Sequence, residues 1–81
     1  MELSVELSFY PLQDQYKKPI LALIDALKQE SSIEVISNRM STQLFGEYDS
    51  VMMVLNRLMK ASFEQYGSAV FVAKFINSDR R

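Results

Sequence analysis

The sequence predicts an α+β domain of order β-α-β-β-α-β, with two helices on one face of a four-stranded antiparallel sheet. Three observations point to it. The chain opens on a strict period-two alternation of apolar and polar residues. Two later segments, about 17–30 and 50–66, repeat their apolar residues at helical spacing. Runs rich in Val, Ile and Phe lie between and after them, bounded by polar or glycine residues.

In Glu2–Phe9, Leu3, Val5, Leu7 and Phe9 fall on one face, and Glu2, Ser4, Glu6, Ser8 and Tyr10 on the other. That is a strand with one face in the core. Pro11 is expected to end it, because proline has no N–H for a ladder. Leu12–Gln15 reads as a loop.

A helix follows over about Lys17–Glu30, with Ile20, Leu23, Ile24 and Leu27 inward. Pro19 suits its first turn, where a missing N–H costs little. Ile33–Asn38 and Ser41–Glu47 read as a hairpin, joined through the polar bend at Ser37-Asn38-Arg39. Asn38 is expected in the turn. Gly46 suggests a bulge more than a close backbone approach to a ligand.

Asp49 is expected to cap the second helix, about Ser50–Tyr66. Its stripe is Val51, Leu55, Leu58, Ser62 and Tyr66, with Met52, Met59 and Phe63 beside it. Met52, Met53 and Met59 read as gap-filling core or interface rather than a metal box. Gly67 is the natural helix stop. Ser68–Ile76 is the last strand. Residues 1–77 form one domain, and 78–81 are expected to be a flexible tail. Right-handed crossovers turn this order into a ferredoxin-like sandwich. Its open sheet face should carry Ser4, Glu6, Ser8 and Tyr10, with Ser41, Gln43, Phe45 and Glu47 alongside. So mixed a face is a candidate for ligand or subunit contact.

Composition narrows the chemistry. The 81 residues include no histidine and no cysteine. Ser-His-Asp and Cys-His centres and His/Cys zinc sites are therefore excluded within one chain. A net charge of −1 gives no electrostatic footprint for nucleic acid. No basic leader or long apolar run opens the chain, so a cytoplasmic location without membrane contact is expected. Small size and the lack of disulfides make a homodimer or homotetramer the expected extra source of buried surface.

The block Met40-Ser41-Thr42-Gln43-Leu44-Phe45-Gly46-Glu47-Tyr48-Asp49 resembles the signature of the small thiamine-binding, YkoF-like family. The opening Val5–Leu12, Tyr16 with Pro19, and Ala69–Phe75 are similar to that family's first strand, first helix start and last strand. The resemblance covers about residues 3–76. It implies a ferredoxin-like fold, an oligomer, and binding of thiamine or its hydroxymethylpyrimidine part in vitamin salvage or transport rather than catalysis.

The side chains permit such a ligand. Its pyrimidine offers an amine donor and ring-nitrogen acceptors. A carboxylate suits the amine or a protonated ring nitrogen; Glu47 is the first choice and Glu6 the second. Ser41 and Thr42 hydroxyls can read the ring edge. Tyr10, Tyr16, Phe45 and Tyr48 can provide stacking faces, on which a cation gains about 0.5–2 kcal/mol. The expectation is a non-enzyme, needing no cofactor, that binds a small heterocycle. The competing reading is a regulatory or structural oligomerisation module that binds another effector or a partner protein. An RNA-binding reading fails on charge and on the missing third-strand basic-aromatic motif. Arg39 beside Asn38, the one anion-directed pair in sight, is too generic to argue for an enzyme.

Overall fold

The predicted alternation builds the first strand, β1 (Glu2–Pro11), whose Leu3, Val5, Leu7 and Phe9 are all buried. The computed structural model describes residues 1–81. It continues through α1 (Lys17–Lys28), β2 (Glu34–Ser37), β3 (Thr42–Glu47), α2 (Tyr48–Tyr66) and β4 (Ala69–Ile76). The sheet order is β2-β3-β1-β4 with every pair antiparallel, the ferredoxin-like arrangement. Pro11 is the last residue of β1, opposite Ala69, rather than the first beyond it. Proline is tolerated there because its missing donor falls at the strand's end.

The core lies between the sheet and the helices. Leu23 and Leu27 of α1 and Val51, Val54 and Leu55 of α2 pack on Leu3, Val5, Leu7, Phe9 and Leu44. Val54 joins the expected α2 stripe. Ser62 is accommodated because its hydroxyl donates to the Leu58 carbonyl one turn back. Met53 is 70% exposed and so belongs to no core. Phe71 stacks on Phe9 at 4.4 Å and meets Phe63 edge-on, which ties β4 to α2.

Two local expectations are corrected. Gly46 forms no bulge: the β1–β3 register runs unbroken from Leu7↔Thr42 to Glu2↔Glu47. The glycine instead lets another element come close, since a Cβ there would sit 3.3 Å from the side chains of both Ile33 and Val51. Asp49 is not the cap of α2. The helix starts two residues earlier, and Glu47 caps it by accepting from the N–H groups of Asp49 and Ser50 at 2.8 and 3.2 Å. Asp49 sits in the first turn, where its charge suits the helix dipole. Among the last residues, Ser78 and Arg80 lie against the open sheet face. Ser4 Oγ donates to the Ser78 carbonyl and accepts from the Arg80 N–H.

Gly67 does what the sequence predicts. It takes φ +74° at the end of α2, and its N–H donates to the Phe63 carbonyl.

Gly46→Val should lower stability by about 1–3 kcal/mol through overpacking against Ile33 and Val51. Urea unfolding checks this; a midpoint at or above the parent's would show that α2 does not approach β3 so closely.

Candidate functional site

Strand lengths shape a mostly apolar concavity. β1 has ten residues and β3 six, and they pair only over Glu2–Leu7. The second half of β1, from Ser8 to Pro11, therefore pairs with β4 alone. On its other side the chain has turned away into the β2–β3 hairpin. Asn38 makes that turn: its N–H donates to the Ser41 carbonyl, and its Oδ1 accepts from the N–H groups of Met40 and Ser41. The start of α1 covers the same opening from the helix layer. The result is a cleft of about 310 Å³ between the end of β1, the N-terminal half of α1 and the hairpin. Its walls are mostly apolar, including Leu7, Phe9, Ile20, Leu23 and Ile24. That suits a small-molecule site.

The main chain supplies polarity to this cleft. In an antiparallel strand, successive residues aim their N–H and C=O groups to opposite sides. The Met1 carbonyl accepts from the Tyr48 N–H on the β3 side, and the Leu12 N–H donates to the Ser68 carbonyl on the β4 side. Odd-numbered residues of β1 therefore face β3. Leu3, Val5 and Leu7 meet Gly46, Leu44 and Thr42 there, whereas Phe9 has no strand opposite it. The N–H and C=O of Phe9 thus point, as an adjacent donor and acceptor, into the cleft that Phe9 lines. Ser8, Tyr10, Tyr16, Asn38 and Arg39 add polar side chains to its lining.

The eight sequence-predicted site residues fall in three places. Tyr10, Tyr16, Ser41 and Thr42 line the cleft. Two of their hydroxyls are engaged: Thr42 Oγ1 lies 3.3 Å from Ser37 Oγ, and Ser41 Oγ donates to Glu6 at 3.1 Å. Glu6 and Phe45 belong to a second, shallower hollow of about 190 Å³ on the open sheet face. There Glu6 pairs with Lys74 at 3.5 Å, which explains a carboxylate in mid-strand. Phe45 is only 4% exposed, and the guanidinium of Arg81 lies over its ring at 5.8 Å. Glu47 and Tyr48 stand at the start of α2. Five residues of strand, about 16 Å, separate Glu47 from Thr42. The Glu47 carboxylate is thus occupied by the helix and far from the cleft.

Arg81 and Asp79 are the charged groups with shifted titration. The main-chain N–H and guanidinium of Arg81 both donate to Asp79 and hold its carboxyl below the usual range; the same contact raises Arg81. They belong to the tail, not the cleft. No three carboxylates converge to hold a metal ion.

Sequence reading did not single out Phe9 as a contact, because its role lies in the main chain. It also set Arg39 aside as generic, although Arg39 lines the cleft.

No family model matches this chain, and no curated protein matches it by sequence. Solved structures do. A Streptococcus pneumoniae protein superposes with TM-score 0.89 at 20% identity, over 99% of this chain and 90% of that one. A provisionally named thiamine biosynthesis/salvage protein from Thermotoga maritima has TM-score 0.85 at 12% identity, over 96% and 85%. A domain of unknown function from Bacillus cereus has TM-score 0.71 at 18% identity, over 99% and 79%. Identities this low establish the shared fold. No helix is long and apolar enough to cross a membrane.

Glu47→Ala should cost about 1 kcal/mol of stability as a lost cap. Asp49→Ala should cost less, about 0.3–1 kcal/mol from the dipole alone. Paired thermal melts decide the order; a larger loss for Asp49→Ala would return the cap to that residue.

Proposed function

We propose that this protein is a non-catalytic binder of a small aminopyrimidine-type heterocycle, of the kind found in thiamine, seated in the cleft between β1, α1 and the hairpin. The observation that carries this reading is the unpaired edge of β1 at Phe9. An aminopyrimidine presents an amine donor beside a ring-nitrogen acceptor. The Phe9 C=O can accept from the first while its N–H donates to the second, as a neighbouring strand would. Apolar walls exclude water from both bonds, which raises the cost of leaving either group unpaired. Tyr10 and Tyr16, each about half exposed, stand at the rim where they can close on a ring face. Met40, 87% exposed at the hairpin tip, gives a flexible apolar lip. The resemblance of Met40–Asp49 to thiamine-binding proteins and the thiamine-related name of one structural neighbour support the same ligand class. No catalytic group is needed for this role, and no histidine or cysteine exists to provide one.

A second reading, assembly with copies of itself, has its own observation. The open sheet face presents Tyr10, Ile36, Val70, Val72 and Ile76, each more than 40% exposed. A small core gains from covering such a strip, so a homodimer or homotetramer is proposed alongside binding. The two roles share Tyr10, at the border of the cleft and the open face, and otherwise use different residues.

Titration calorimetry with hydroxymethylpyrimidine and thiamine, joined to amide NMR, tests the first reading. Binding should shift the Phe9 amide resonance, and Tyr16→Ala should weaken it about threefold to tenfold, as expected for an aromatic contact of about 0.5–1.5 kcal/mol. No heat at millimolar ligand, with an unmoved Phe9 amide, would sink it. For the second reading, Val72→Glu should shift the sedimentation coefficient toward the monomer; an unchanged assembly would clear this face of that role.

A further inference from the structure

The cleft is electrostatically one-sided. No carboxylate lines it, and Arg39 carries its one full charge. That guanidinium is also uncommitted. The ion pairs of this chain engage Arg57, Lys74 and Arg81, and Arg39 enters none of them. Its place is set by the hairpin: the Asn38 side chain binds two successive N–H groups and pins the turn that carries Arg39. Arg39 sits with Met40 in the turn that the Asn38 N–H to Ser41 carbonyl bond closes, and it lines the same cleft as Phe9. Arg39 therefore borders the cleft into which the Phe9 edge opens.

This arrangement bears on the charge of the ligand. A cationic ring beside Arg39 is repelled, and the carboxylate that reaches the cleft wall, Glu6, is already engaged by Ser41 and Lys74. An oxyanion meets a planar fork of N–H donors whose geometry matches phosphate. Resting on the reading that the cleft holds an aminopyrimidine, we infer that its preferred ligand is an anionic ester of that ring, a pyrimidine bearing a phosphate on a short arm. Phe9 reads the ring edge and Arg39 holds the phosphate. The two-ring thiazolium cation without phosphate is the poorer ligand.

Calorimetry on the full chain with four compounds tests this: hydroxymethylpyrimidine, its monophosphate, thiamine and thiamine monophosphate, each against the parent protein and Arg39→Gln. The pyrimidine phosphate should bind at least about tenfold tighter than the free alcohol and tighter than thiamine, with the advantage shrinking as salt rises. Arg39→Gln should bring phosphate and alcohol within about twofold of each other by weakening the phosphate far more than the alcohol. Equal affinity of alcohol and phosphate in the parent, or equal weakening of both by Arg39→Gln, overturns the inference while the pyrimidine reading stands. Phenyl phosphate is the control for the opposite case. If no pyrimidine binds but phenyl phosphate does, in an Arg39-dependent manner, the anion site stands and the pyrimidine reading falls. If nothing binds, both fall.

Discussion

Almost everything in this molecule is hung on β1. It is the longest strand, it pairs on both sides, and its four odd apolar residues form the floor on which both helices rest. A central strand buried on one face tolerates no slip, since a shift of one residue would exchange its core and open faces. The same strand also borders the cleft. β1 outruns β3 by about four residues because the hairpin turns back at Asn38. A rigid strand thereby presents a bare main-chain edge to a cleft without any loop having to order itself. Polar groups held by the scaffold in this way are pre-organised, which limits the entropy lost on binding.

The other end of the sheet is closed with equal economy of residues. Gly46 has no side chain, so Ile33 and Val51 come into contact range, and α2 packs down on β3. Directly after it, Glu47 leaves the strand in extended conformation and turns its carboxylate onto the first N–H groups of α2. Strand end, close packing and helix cap are thus consecutive residues of one segment. The tail adds a further cover, with Ser78–Arg81 lying over Ser4 and Phe45 and making ion pairs to Glu2 and Glu34. One end of the open face is shielded by these contacts, while the part around Tyr10, Val70 and Val72 stays bare.

The block Met40–Asp49, which stands out in the sequence, divides in consequence between two jobs. Its first residues, Met40 to Thr42, border the cleft. Its last, Gly46 to Asp49, join β3 to α2. Such a block can be distinctive in sequence for structural reasons along half its length. A strand of six residues spans about 20 Å, too far for one small ligand to touch both ends.

Local pattern by itself determined the order of elements, the inward faces of β1 and α1, the turn at Asn38 and the stop at Gly67. Each of these depends on side-chain period or on backbone conformation within a few residues. Tertiary structure alone decided the rest. Whether Glu47 or Asp49 caps α2 depended on where β3 ends, which its pairing with β1 sets. Which charges Phe45 and Glu6 met depended on a tail and a lysine more than 25 residues away in sequence. The open donor and acceptor of Phe9 were invisible for a deeper reason. Every residue but proline carries the same N–H and C=O, so no residue type marks the one whose partner strand is missing; only the register between β1 and β3 reveals it.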